Sequence, residues 1–453
     1  MKLKRLSILI CIILVALCAI ALISCGSEEE VEITFNSDGG TAIKPIKAMT
    51  GDKISAPVAP KKDGYKLDGW YNGDEKWNFE KDKVKGEMTL TAKWTIETYT
   101  ITYVTEGGEN SPSNKQTFTI NDLPVILNDA THSEKAFVGW DLDGARVNKI
   151  TRTGNKTVTA TFAKDTDSLI YEETEGGYIV IGCEEETRDL CIPEAYNGKP
   201  VLGIKEGAFA GNDDILSVVL KNGFKEIGKE AFKGCKNLIL VKLSKTTETI
   251  GDSAFFGCSS LVSFDVIDGV KYLGDKAFKD CVNLENLTLS DGLKYVGEDF
   301  IYNCNKIKME AYKGGYYIGS WLIEFFDDEE MRAPTFKEGI VGICSYAFYR
   351  SDKVRVLNLP NTVRFIGSQA FFGATFLTTV TFSENLEYIG MYAFYRCYKM
   401  KNVIIHEKLT TIGMKAFSDC RDLVINCVFE EKPEGFHETW VDKSTVNYGY
   451  KPE

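Results

Sequence analysis

Three stretches decide how the C-terminal part of this chain folds: Glu230-Ala231-Phe232-Lys233-Gly234-Cys235, Ser253-Ala254-Phe255-Phe256-Gly257-Cys258 and Lys276-Ala277-Phe278-Lys279-Asp280-Cys281. They are one phrase at a step of 23 residues. Outward from them the Ala-Phe pair recurs at Ala208-Phe209, and the same step resumes at Ala347-Phe348, Ala370-Phe371, Ala393-Phe394 and Ala416-Phe417. A fifth copy, ending at Phe300, slips by one residue, so two strings of four repeats flank an irregular block at about residues 310–340. A unit this short cannot bury its own apolar face, and stacking on its neighbours must supply the core. Strand alternation then points Val241 and Leu243 inward, with Ile250, Ala254 and Phe255 on the return segment. Equivalent sets are Leu273, Ala277, Phe278, Leu287 and Leu289, and later Val380, Phe382, Ile389, Ala393 and Phe394. Gly228, Gly251, Gly274, Gly297, Gly367, Gly390 and Gly413 share one column, as a tight turn or a close backbone approach requires.

The segments L-V-K-L, L-T-L and V-L-N-L, each followed by x-x-I-G-x-x-A-F-x-x-C, resemble the BspA-like subclass of leucine-rich repeats. The resemblance runs from about Ser168 to the C-terminus. It implies a solenoid over residues 166–453 with polar caps. The N-terminal cap is Tyr178–Cys183 through Val201; the C-terminal one runs from Leu423 to Tyr450, with Trp440 plugging the last turn. Gly314–Glu330 breaks the phrase and reads as a hairpin or a distorted repeat that bends the solenoid.

Upstream, residues 31–95 alternate short strands with an N-S-D-G-G turn and Pro breakers. Their order resembles the Listeria-Bacteroides repeat, which implies a β-grasp fold. A degenerate second copy spans residues 97–163, keeping Y-T-I-T-Y-V-T-E-G-G, A-F-V-G-W and T-V-T-A-T-F. Trp70 and Trp140 occupy the same place in the two copies and read as core anchors. The fold class is therefore multidomain: two small β-grasp-like modules, then a strand-rich α/β solenoid of 23-residue period.

At the N-terminus, Lys2, Lys4 and Arg5 precede an apolar run from Leu6 to Ile23, an export signal over residues 1–24 or, uncleaved, a signal anchor. Leu22-Ile23-Ser24-Cys25 resembles a bacterial lipobox, which implies lipidation of Cys25 and a short tether, residues 25–30. Without the signal, 50 Lys and Arg face 65 Asp and Glu, an acidic balance that argues against nucleic acid.

Ten Cys remain beyond Cys25. Cys235, Cys258, Cys281, Cys304, Cys397 and Cys420 fall in register and read as a column of free inward thiols; Cys183 with Cys191 and Cys420 with Cys427 are the better disulfide candidates. His132, His406 and His437 are far apart, and no Cys-x-x-Cys, phosphate loop or dinucleotide fingerprint occurs, so no catalytic residue, metal ligand or cofactor is assigned. The acids Asp327 to Glu330 read as a solvated loop rather than a calcium site. Ahead of the inward Ile of each return segment stand Glu226, Thr249, Tyr272, Tyr295, Phe365, Tyr388 and Thr411, on a flank expected to be exposed. Tyr272, Tyr295, Phe365 and Tyr388 are the candidate ligand-binding residues, with mutual stacking as the alternative. Tyr346, Tyr349, Phe372, Tyr392, Tyr395 and Tyr398 form a second aromatic enrichment, and Ser217, Lys242, Asp265, Asn286, Thr288, Asn358, Thr379, Thr381 and Asn402 a polar strand face. The resemblance implies a bacterial surface protein, membrane-anchored through lipid, that binds an extracellular protein or glycan on host matrix or other bacteria. An envelope scaffold is the alternative, and a polysaccharide-active enzyme the third reading.

Overall fold

The computed structural model describes residues 29–326 and 331–452. The signal segment, Cys25 and the acids Asp327 to Glu330 lie outside the described residues. Two compact units form: the described residues up to Ala130 together with Gly139–Ala160, and Thr131–Val138 together with the chain from Thr161 on. Both N-terminal modules thus share a unit, while two segments of the second module group with the repeats.

The first module is one five-stranded sheet. Its strands are β1 (Glu30–Asn36), β2 (Ile46–Met49), β3 (Tyr65–Asn72), β4 (Glu75–Lys76) and β5 (Met88–Ile96), in the order β2-β1-β5-β3-β4 with β1 parallel to β5. Alternation along β1 buries Val31, Ile33 and Phe35, and Trp70 meets Phe35 edge-on at 5.0 Å. The second module repeats this order with Thr117–Phe118, Tyr99–Val104, Lys156–Ala163, Ala136–Leu142 and Ala145–Val147. There the buried Trp140 packs edge-on to Tyr103 at 5.2 Å, and its indole N–H donates to the Asn128 carbonyl at 2.9 Å. Both tryptophans are core, as their shared position predicted.

In the solenoid each turn adds a two-residue strand to a parallel ladder. Glu226–Ile227, Thr249–Ile250, Tyr272–Leu273 and Tyr295–Val296 pair in register, as do Gly342–Ile343, Phe365–Ile366, Tyr388–Ile389 and Thr411–Ile412 in the later string. Beneath the ladder the phenylalanines stack face to face: Phe209, Phe232, Phe255 and Phe278 at 5.4, 5.5 and 5.6 Å, and Phe348, Phe371, Phe394 and Phe417 at 4.7, 5.0 and 5.3 Å. The Gly column exists for close approach. A Cβ on Gly251 would stand 2.6 Å from the Lys229 amide of the preceding turn, and one on Gly390 2.3 Å from that of Ser368. None of the seven has a positive φ; that conformation falls two residues later, on side-chain-bearing residues such as Glu230, Ser253 and Lys276.

The irregular block is a hairpin. Glu310–Tyr312, Gly315–Ile318 and Trp321–Phe325 pair antiparallel, and Trp321–Phe325 then starts the second parallel ladder beside Gly342–Ile343. The first ladder also starts from an antiparallel hairpin, Leu169–Thr174 against Gly177–Cys183, but there the strand after the turn itself runs parallel to Lys199–Ile204. Each hairpin turns on a Gly-Gly-Tyr, with positive φ at Gly176 and Gly314, so each string carries its own starter. At the far end Trp440 is buried edge-on against Phe417 at 5.9 Å and Phe436 at 5.4 Å, closing the last turn.

All ten described cysteines are free, which corrects the two disulfide candidates in the caps. Cys183 and Cys191 turn instead to Ser168 and Asp165. In the column each thiol donates to a Phe carbonyl one turn back: Cys235 to Phe209, Cys258 to Phe232 and Cys281 to Phe255, all at 3.1 Å, and Cys420 to Phe394 at 3.1 Å. Burial pushes the thiols of Cys235 and Cys420 up to about 12. Alkylation of the native protein near pH 8 is expected to spare the nine buried thiols, and denaturant to expose all ten, as mass spectrometry of unreduced protein will show.

Candidate functional site

The four aromatic residues singled out on the return segments do come together, but onto one another. Tyr272 stacks on Tyr295 at 4.7 Å and 7°, and Phe365 on Tyr388 at 4.8 Å and 5°. Across the hairpin the two stacks then meet: the Tyr295 ring stands edge-on to Phe365 at 6.2 Å and to Tyr388 at 5.8 Å. Phe365 is 2% exposed, and the tyrosines are half-buried. The expectation of an exposed flank is corrected here, because the hairpin brings the two ladders into contact and their largest side chains fill the join. The phenols are committed as well, Tyr295 donating to Asp275 at 2.8 Å and Tyr272 to Asp252 at 3.3 Å.

This packing has a pH signature. Burial raises the Tyr388 phenol from 10.0 to about 12, and raises Tyr272 and Tyr295 as well, with their Asp neighbours adding to it. A phenol held above its unfolded value stabilises the fold fully below pH 10, and that contribution is lost as pH rises from about 10 to 12. Urea unfolding followed across this window is expected to show a falling midpoint, steeper than in a Tyr388→Phe variant.

The strand face is largely as expected. Asp265, Thr288, Asn358, Thr379, Thr381 and Asn402 are exposed and Asn286 is half-buried. Ser217 is the exception, buried because the preceding strand's Asp189 accepts its hydroxyl. Lys242 is drawn down over the Phe137 ring at 4.2 Å.

A different row is partly open: Tyr349 is exposed, and Phe372 and Tyr395 are half-buried. In the loops after the Ala-Phe pairs of the later string, Tyr349, Phe372 and Tyr395 stack turn upon turn at 5.2 and 5.1 Å. Tyr346 and Tyr392 brace the row edge-on from its inner side, at 5.7 and 5.4 Å. Cations lie on the ring faces: Arg350 on Tyr349 at 5.2 Å, Arg396 on Tyr395 at 5.2 Å and Arg421 on Tyr398 at 4.9 Å. Phe376 carries two, Arg355 at 5.0 Å and Lys399 at 4.3 Å. In the earlier string the same column holds Ala210, Lys233, Phe256, Lys279 and Tyr302, so the fold does not require rings there. Sequence alone marked the rings of this row but not the arginines between them. Arg350 and Arg396 sit at a left-handed loop position held by glycine in most other turns, and this hides them from a hydrophobic-period reading.

Beside the row, the fifth loop is stacked on one side only. It accepts the amides of Phe278 and Asp280 through the Phe300 and Tyr302 carbonyls, but the next turn is the hairpin, and a cavity of about 620 Å³ opens between Phe300, Ile307, Tyr316 and Tyr346. The histidines do local work, the ring nitrogens of His132 and His437 accepting the backbone N–H groups of Glu134 and Thr439.

Residues 203–324 and 322–432, together more than half of the sequence, match the model of the BspA type leucine rich repeat region. The chain belongs to the BspA-type leucine-rich repeat family. Its BspA-type region is preceded by two matches to the Listeria-Bacteroides repeat domain, residues 32–93 and 99–163, so the degenerate second copy is a member too. Internalin H of Listeria monocytogenes is 33% identical over 117 residues, 25% of this chain and 20% of that protein. A Gly-rich protein of Evansella cellulosilytica with a provisional membrane-protein name is 31% identical over 151 residues, 32% of this chain and 16% of that one. The chain thus spans a fifth or less of the length of these relatives. Among solved structures, a leucine rich cell surface protein from Faecalibacterium prausnitzii is 19% identical, covering 63% of this chain and 94% of that one at a TM-score of 0.28.

Proposed function

We propose that this BspA-type protein is a non-catalytic recognition protein of the bacterial cell envelope, anchored through lipid on Cys25, with the two N-terminal modules as spacers. It engages an extracellular protein or glycan on a host surface or on other bacteria. The observation that carries the reading is the row Tyr349, Phe372 and Tyr395. Tyr349 is exposed and Phe372 and Tyr395 are half-buried, in a column where the earlier string places rings at only Phe256 and Tyr302 of five turns, and large, stiff, amphipathic side chains suit contact surfaces. The membrane-protein names of relatives support the location.

The test uses the full chain on arrayed glycans, matrix proteins and bacterial cells, beside a variant carrying Tyr349→Ala, Phe372→Ala and Tyr395→Ala. The expected result is binding by the parent and at least a tenfold loss in a variant with an unchanged circular dichroism spectrum. Undiminished binding by the variant removes the row from the account. No binding by either protein, with sedimentation as an oligomer, assigns the chain to an envelope scaffold instead.

A further inference from the structure

The same row carries charge, and its charge runs against the rest of the molecule. Residues 340–425 hold ten Lys and Arg against six Asp and Glu, in a chain with 53 against 65. Five cations of this stretch rest on aromatic faces: Arg350 and Arg396 on Tyr349 and Tyr395 of the row, Arg355 and Lys399 on Phe376, and Arg421 on Tyr398. Arg396 also pairs with Asp419 at 3.1 Å. Among the described residues the other four have no carboxylate partner. Ring contact fixes a guanidinium at little further entropic cost, so these groups are held ready rather than left to wave in solvent.

Resting on the reading that this row is the recognition surface, we propose that its ligand is an anionic polysaccharide, one carrying carboxylate or sulfate groups along its length. Three features of the surface select this class. The ring-held cations come from three of the four turns, at Arg350 and Arg355, at Arg396 and Lys399 and at Arg421, with Gly373 in the turn between, so a polymer that carries charge along its length meets more than one of them. Tyr349, Phe372 and Tyr395 already stack on one another, which closes the spaces between them to intercalating nucleic-acid bases. Tyr349, Phe372 and Tyr395 also lie outside the cavity beside the row, the apolar recess in which a protein partner would seat an anchor. Planar guanidinium groups match carboxylate and sulfate geometry, and their attraction is screened by salt.

The experiment measures binding of the full chain to heparin and to hyaluronan, one sulfated and one carboxylated, with dextran, poly-L-glutamate and single-stranded DNA as comparators. The variant replaces charge and keeps the rings: Arg350→Gln, Arg355→Gln, Lys399→Gln and Arg421→Gln. A matched control carries Lys233→Gln and Lys279→Gln in the earlier string. The inference expects binding to at least one acidic polysaccharide that weakens with salt, no binding to dextran, at least a tenfold loss in the four-site variant and no change in the control. The two polysaccharides show which acid group is read. Equal binding by the four-site variant overturns the inference, as does tighter binding of poly-L-glutamate or DNA, or failure to bind either polysaccharide. If the acidic polysaccharides fail while the triple alanine variant still loses a partner on the array, the recognition surface stands and only the ligand class falls.

Discussion

Trp321→Ala is expected to cost about 3–5 kcal/mol and to split the unfolding of the solenoid into two transitions. Trp321 is fully buried where the hairpin hands over to the second ladder. Its ring lies against Phe365 at 5.5 Å, and its indole N–H reaches back to the Ser290 carbonyl of the first string at 3.1 Å. Gly342 makes the space, since a Cβ there would stand 2.2 Å from the ring. One side chain therefore joins the apolar columns of both strings. In a stacked array, stability is close to a sum of turns and their interfaces, so weakening one interface in the middle separates the halves. Trp321→Phe keeps most of the apolar contact and gives up the hydrogen bond, for a smaller loss of about 1 kcal/mol. Urea unfolding followed by far-ultraviolet circular dichroism distinguishes these. A single transition with a loss under about 1 kcal/mol in Trp321→Ala would show that the strings are coupled elsewhere.

Gly274→Ala is the second large effect, expected at about 3 kcal/mol. The added Cβ would stand 2.4 Å from the Asp252 amide and 2.5 Å from the Gly251 carbonyl carbon, and both belong to the backbone of the preceding turn. Backbone held on both sides by stacked turns has nowhere to go. The contrast is Gly257→Ala. Gly257 has φ +72 but no neighbour nearer than 3.9 Å, and Asp280 and Asn303 hold the same left-handed place in later turns, so about 1 kcal/mol is expected. Thermal unfolding of the two variants side by side checks the order, and a costlier Gly257→Ala would contradict the close-approach reading.

The repeat period and the inward Phe, Ala and Cys columns were legible in the sequence because each is written many times over. Stacking demands the same residue at the same column, and 23-residue periodicity displays that demand. What occurs once was harder to read. Gly314-Gly315-Tyr316 matches Gly176-Gly177-Tyr178 as a ladder starter, but two instances 138 residues apart do not form a period. The fate of Tyr272, Tyr295, Phe365 and Tyr388 turned on that hairpin. Alternation placed them correctly on the outer side of their strands, yet the contact between strings that buries Phe365 is a long-range consequence no local pattern encodes. The cap cysteines failed for a related reason: spacing showed that Cys183 and Cys191 were near in sequence, whereas side-chain direction sends them to Ser168 and Asp165.

Recognition is assigned to the Tyr349, Phe372 and Tyr395 row of the later string and not to the aromatic join of Tyr272, Tyr295, Phe365 and Tyr388. Hydrogen–deuterium exchange of the full chain, with and without a partner identified on the arrays, addresses it most directly. Added protection is expected in the loops at residues 346–350, 369–373, 392–396 and 415–421, with residues 272–273 and 295–296 unchanged. Protection centred on the strand face at residues 263–265, 286–288 and 379–381, with those loops unaffected, would contradict it.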